Sequence, residues 1–247
     1  NSKYKKSVYD MKVVNMRKMK NSRPKTDMRG VVEMKNEKLH IRVLEYLNLK
    51  NKMPLKMNKW TKFLKNLHSS KYKIKIGIVG KYIALHDAYK SISESLIHAG
   101  ANLNSKIIIT WISSDDITKK NIKNKLKSLD GIIVAPGFGD RGIEGKIIAI
   151  NYIRINKIPF FGICLGMQCA TIEFAKNILK LKDSNSYEFN KKTKNPVINL
   201  MENQKNIKNK GGTMRLGSYE CEISKNSIAR KAYKKSEINE RHRHRFE

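Results

Sequence analysis

The 247-residue sequence is short of acid: 21 Asp and Glu stand against 52 Lys and Arg, a formal net charge of +31. It holds three cysteines, five prolines and two tryptophans. An odd cysteine count without framework spacing argues against a disulfide-stapled secreted scaffold and for a reducing compartment, the cytoplasm. No apolar run approaches the ~20 residues that span a bilayer, and the opening "NSKYKKSVYDMK" has no signal-peptide core, so no membrane partner is expected. The first residue is not Met, which fits a fragment or a processed form. Hydrophobic residues make up 40% of the chain, enough to bury a core and to exclude wholesale disorder. The charge itself decides little. The lysines are scattered, with no Arg-rich patch, no interleaved aromatic platform and no zinc-finger spacing, so the sequence reads as a compositional bias on solvent-facing positions and not as a nucleic-acid binder.

What is present falls into three regions. Residues 1–34 have neither a helical nor an alternating period and stay unassigned. Residues 35–71 carry two short amphipathic helices, "EKLHIRVLEYLNL" with Leu39, Val43 and Leu47 on one face, and "NKWTKFLKNLH" with Trp60, Phe63, Leu64 and Leu67 on one stripe. From Tyr72 the pattern becomes strand–helix repeated four times. The strands are "YKIKIGIVG", "SKIIITWIS", "DGIIVAPG" and "IPFFGIC", and the helices "DAYKSISESLIHAG", "SSDDITKKNIKNKLKSL", "GIEGKIIAINYIRINK" and "LGMQCATIEFAKNIL". Asp87 is the expected N-cap and Gly100 the expected stop of the first of these helices, and Asp115 and Asp116 suit the N-terminal end of the second. Continuous apolar strands alternating with helices predict an α/β fold with a mostly parallel sheet covered on both faces, flavodoxin-like. Beyond Leu181 the pattern loosens, with a turn and strand expected in "GGTMRLGSYECEIS".

In such a sheet, chemistry sits beyond the carboxyl ends of the strands. Cys164 falls at one such end, bracketed as Gly162-Ile163-Cys164-Leu165-Gly166, with a helix directly behind it. A lone cysteine after a strand is usually a small buried hydrophobe. The glycine bracket changes that reading, because G-x-C-x-G at a strand–turn–helix junction is the thiol form of a nucleophile elbow. The Leu165 N–H would then face a developing oxyanion, Gly137 in "VAPGFGDRG" would supply a second donor, and the helix N-terminus would lower the thiol pKa. Cys169 stands at the wrong spacing for a redox or zinc pair and reads as packing; Cys221 reads as structural. His242 and His244 resemble a strand-borne metal pair without a third ligand, so no metal is assigned. "GIVGKY" lacks phosphate-loop spacing.

"GICLGMQ" resembles the nucleophile segment of class I (triad) glutamine amidotransferases. Together with "KIGIVGKYIALHDAYKSISESLIHAG", "GFGDRGIEGKI", "GGTMRLGSYECEI" and "ERHRHRFE", in that order over residues 72–247, the resemblance is to the amidotransferase half of the CTP synthase family. It implies that residues 35–71 end a synthetase domain and its linker. It implies Cys164 as nucleophile, Gly137 and the run Leu165, Gly166, Met167 and Gln168 around the substrate and its oxyanion, Glu188 on the α-amino group and Arg245 on the α-carboxylate of L-glutamine. It also implies ammonia supplied to an ATP- and Mg2+-dependent amination of UTP in a synthetase half outside this chain. GTP is the implied allosteric activator, acting near the loop before "GGTMRLG", and the full-length protein is implied to be a homotetramer.

The family's base and its orienting carboxylate come from a His-Pro-Glu segment, and none of the six histidines here (His40, His68, His86, His98, His242, His244) has that context. The expectation is therefore a chain that binds glutamine but turns it over poorly, with an incompletely covered sheet, marginal stability and a tendency to associate. The alternative is a non-catalytic glutamine-binding or interaction module. Another class I amidotransferase is disfavoured by "DRGIEGK" and "GGTMRLG".

Overall fold

The computed structural model describes residues 35–50, 54–205 and 214–247, so the unassigned residues 1–34 lie outside it. The chain divides into two compact units: residues up to Tyr72 with Ile97–Lys106, and Lys73–Leu96 with Ile107–Glu247. In the first unit, α1 (Leu39–Tyr46) buries no side chain, and Val43 is exposed despite its place on the apolar stripe. Helix α2 (Asn58–His68) buries Leu64; Trp60 stacks on Phe63 at 5.3 Å, and Phe63 meets His98 edge-on at 5.0 Å.

The second unit is built on a four-stranded sheet in the order β2-β1-β3-β4, with β1 Tyr72–Gly80, β2 Ser105–Ser113, β3 Gly131–Val134 and β4 Phe160–Gly162. Strand β3 runs parallel to both neighbours, pairing Val79 with Val134 and Val134 with Gly162. Side chains alternate across the pleat, so successive residues feed opposite faces. Val79, Ile132 and Val134 pack into one core with α4 (Ile122–Leu126), α5 (Ile143–Ile155) and α6 (Leu165–Asn177). Ile78, Ile133 and Ala135 form a second core with Tyr89, Ile92 and Leu96, the last two on α3 (Lys90–Asn102). The predicted fold class, a mostly parallel sheet with helices on both faces, is the one observed.

Three local expectations are corrected. Asp87 does not cap α3; it lies inside a 3-10 turn, His86–Tyr89, that precedes the helix. Gly100 does not stop α3, which runs to Asn102 with Gly100 buried in its last turn. The acidic pair Asp115/Asp116 opens no helix, because residues 116–121 are tied into turns: the Thr118 N–H donates to Asn121 Oδ1 at 2.9 Å and Asn121 Nδ2 donates to the Asp116 carbonyl at 2.8 Å. Side chains that bond nearby backbone compete with helix formation, and α4 begins only after them.

Beyond α6 come a two-stranded parallel pair, β5 (Ser184–Ser186) with β6 (Asn195–Ile198), and an antiparallel hairpin, β7 (Arg215–Glu222) with β8 (Glu237–His244). Helix α7 (Ile228–Tyr233) joins the two hairpin strands, capped by Ser227 accepting from the Arg230 N–H. Among the described residues no helix is long and apolar enough to cross a membrane.

Candidate active site

The backbone at Cys164 lies outside the ordinary regions, with φ 51° and ψ −109°. A non-glycine residue held there costs of order 1–3 kcal/mol and persists only when its surroundings enforce it. Two close approaches do so. A Cβ on Gly162 would lie 2.8 Å from the Met167 amide nitrogen, and a Cβ on Gly166 would collide with the Val134 carbonyl oxygen. The glycines let β4, the turn and the first coil of α6 press together, and the chain can make that turn only by lifting Cys164 out at its apex. The Ile163 N–H donates to the Val134 carbonyl at 3.0 Å, and the Cys164 carbonyl accepts from the Gln168 N–H at 3.0 Å.

The apex faces a cleft of about 500 Å³ whose walls include Gly137, Gln168, Glu188, Arg243, His244 and Arg245. Of the residues singled out in the sequence, Gly137, Cys164, Gln168, Glu188 and Arg245 thus meet at one cleft. Leu165, Gly166 and Met167 do not line it: the Leu165 side chain is in the core, Gly166 packs on β3, and Met167 points to solvent. Leu165 contributes its backbone N–H, which acts to lower the Cys164 thiol pKa. Gln168 is buried and donates from Nε2 to the Phe246 carbonyl at 2.9 Å, tying α6 to the residues after β8. Arg245 donates to Gln204 Oε1 at 2.6 Å. Glu188 accepts a long 3.4 Å bond from the Gly139 N–H. Lys191, Lys205, Arg243 and Arg245 on the walls against Glu188 make the cleft cationic with one acidic corner, a field for an anionic or zwitterionic ligand. A second cleft, of about 410 Å³ beside α5, has no cysteine, serine or threonine in its lining.

The thiol expectation needs correction. Burial pushes the Cys164 thiol above its ordinary value; the Leu165 N–H and the Lys146 ammonium pull it down without prevailing, and Glu188 adds to the rise. A thiol held protonated needs a base, and among the described residues no histidine hydrogen-bonds it. Cys169 is fully buried and its thiol is pushed up to about 11 by that burial, as befits packing. All three cysteines are free.

Two residues that sequence reasoning missed hold the loop after β3. Lys81, from the rejected "GIVGKY", donates from Nζ to the Phe138 carbonyl at 2.6 Å and the Gly139 carbonyl at 2.7 Å. Lys146 has no exposed surface and donates to the Ala135 carbonyl at 2.6 Å. Burial lowers its pKa to about 8, against the pull of the two cysteines. A signal was there to read: Lys146 sits on the apolar stripe of α5 between Ile143 and Ile150, where a solvent-facing lysine has no place. Glu247 lies beside His242 and His244, with one ligand-type atom of each of the three within 4.8 Å of the others.

Residues 84–247 match the family described as "Glutamine amidotransferase class-I". The chain belongs to the class-I glutamine amidotransferases. This amidotransferase is 58% identical over 214 residues to a CTP synthase of Cytophaga hutchinsonii and 52% identical over 214 residues to one of Flavobacterium johnsoniae. Each match covers 87% of the chain but 40% of the relative, so the amidotransferase spans well under half of those proteins. Among solved structures it resembles the glutaminase domain of Trypanosoma brucei CTPS with bound acivicin, at 38% identity and a TM-score of 0.63, over 70% of this chain and 67% of that one.

Proposed function

We propose that this amidotransferase is the glutaminase part of a CTP synthase and that its cleft binds L-glutamine. The observation that carries the proposal is Cys164, held at φ 51° by two sterically required glycines at the mouth of a cleft shared with Gly137, Glu188 and Arg245. Glu188 takes the α-ammonium and Arg245 the α-carboxylate, the complementary pair that an amino acid's two ends require. The Cys164 sulfur attacks the side-chain amide carbon, and the Leu165 and Gly137 N–H groups stabilise the oxyanion. Collapse breaks the C–N bond, and with a proton delivered to nitrogen ammonia leaves behind a glutamyl thioester. Water cleaves the thioester to glutamate and restores the thiol. Both proton transfers need a base that the described residues do not place on the thiol.

In the full-length protein the ammonia aminates UTP at the expense of ATP with Mg2+, in a cytoplasmic tetramer activated by GTP. At the Gly80-Lys81 pair the described residues do not fit a nucleotide phosphate. Lys81, the lysine of the Gly-Lys pair, has its ammonium on two carbonyls and has none to offer a phosphate.

A second reading, glutamine binding without turnover, is favoured by the protonated, unassisted thiol. One experiment tests both. A glutamine-mimicking electrophile should label Cys164, glutamine should protect it, and Glu188→Gln or Arg245→Met should weaken that protection at least tenfold. Glutamate release should be at most a trace and vanish in Cys164→Ser. Labelling confined to Cys221, or indifferent to glutamine, refutes the binding mode; rapid turnover refutes the second reading.

A further inference from the structure

We propose that His242, His244 and Glu247 form a binding site for a divalent transition-metal ion, of the zinc or cobalt class, at the end of the β7–β8 hairpin. The sequence gives His-x-His, which a strand turns to one face. The fold adds the carboxylate: one ligand atom from each of the three residues lies within 4.8 Å of the others, and His244 Nε2 is 2.7 Å from Glu247 Oε1. The backbone of Glu247 is fixed, since it donates to the Asn199 carbonyl at 2.9 Å and accepts from the Asn199 N–H at 2.7 Å. The two imidazoles are half-buried with ring centroids 5.1 Å apart. Two imidazoles and one carboxylate select zinc-class ions over magnesium or calcium, and three protein ligands leave a further position open.

Space for the ion is built in. Gly217 is the cross-strand partner of His242, and a Cβ placed on it would meet nothing within 4 Å, so no side chain fills the position opposite His242, whose ring otherwise meets Tyr219 and His244, each at 5.1 Å between centroids. One group competes: Arg215, opposite His244, donates to Glu247 Oε1 at 2.6 Å while its guanidinium lies 4.1 Å from the Tyr219 ring centre. The carboxylate is therefore already matched to a cation. An incoming metal ion exchanges with Arg215, which retains its place on the Tyr219 ring. Because Arg245 lies between His244 and Glu247 in sequence, the ion would clamp the chain on both sides of that residue.

The test is titration of the whole 247-residue chain with Zn2+ by calorimetry and with Co2+ by absorption. One ion should bind per chain, with a Co2+ spectrum of nitrogen and oxygen ligation and no intense sulfur-to-metal band. His242→Gln should weaken binding at least roughly tenfold, the loss expected for removing a ligand. Arg215→Gln should tighten it severalfold, a gain that no folding defect mimics. Absence of saturable binding overturns the site, as does a sulfur-to-metal band that survives His242→Gln, which would put the ion on the cysteines. Weaker binding in a natively melting Arg215→Gln chain would likewise refute it.

Discussion

Gly166→Ala is the substitution that best tests how Cys164 is held. On helix propensity alone the change should stabilise α6 by about 1 kcal/mol. The structure predicts the opposite sign. An alanine Cβ would meet the Val134 carbonyl oxygen, lie 2.7 Å from its carbon and 3.2 Å from its Cβ. None of these is a flexible side-chain end; all belong to β3, whose Val134 is paired with both Val79 and Gly162. Relief therefore requires α6 to retreat from the sheet, loosening Leu165, Cys169 and Ile172 in the core. Overpacking of this kind costs about 1–3 kcal/mol, so after the propensity gain the net loss is about 0–2 kcal/mol in stability. The functional loss should be larger, because the retreat moves the elbow itself. Urea unfolding gives the first quantity and the rate of Cys164 labelling the second. A chain stabilised by about 1 kcal/mol that labels at the parent rate would show that the glycine is not needed for packing. Gly139→Ala is the control: it meets nothing within 4 Å and bears only the strain of φ +70°.

Two further outcomes follow from buried charge. Glu173 is 1% exposed and accepts from Arg154, Asn151 and Asn177; burial pushes its pKa up, but those bonds together bring it below the ordinary value. Arg154→Met should cost about 3 kcal/mol, the penalty for stranding a buried charge, and shift the urea midpoint accordingly; no shift would mean that the two asparagines suffice. Lys146 titrates at about 8 in the fold against 10.5 unfolded. Between those values the unfolded chain holds the extra proton, so this residue's contribution to stability rises with pH across the window. The difference in unfolding free energy between the parent and Lys146→Met should therefore grow in the parent's favour from pH 8 to about 10, and a flat difference would place the ammonium in a wetter site.

Much of the α/β frame was legible in the sequence because burial repeats. β1 and β2 occupy the stretches that their apolar runs marked, and the helix behind Cys164 begins where the glycine bracket placed it. What failed were competitions among short-range polar bonds. Asp115 and Asp116 look like a helix start until Asn121 and Thr118 are seen to satisfy the backbone themselves. β8 showed in the sequence only as a strand-borne His-x-His, without bounds or a partner, because "ERHRHR" has no apolar member; its pairing with β7 is what the fold adds. At the site, Cys164, Gly137, Glu188 and Arg245, which line one cleft, were named from the family's motifs. The two lysines were not named: Lys81 stands in no pattern that marks it, and Lys146 shows in the sequence only as a lysine on the apolar stripe of α5.

The peptide joining Phe138 to Gly139 is gripped at both ends. Its carbonyl accepts from Lys81 and its N–H donates to Glu188. A dipole strung between a cation and an anion has one preferred orientation for as long as both charges stay. Any ammonium that draws Glu188 to itself releases one end, while Lys81 keeps the other, and glycine at 139 puts no side chain in the way of a rotation. Occupancy of the acidic corner and the posture of the loop beside Cys164 are thereby two readings of a single bond.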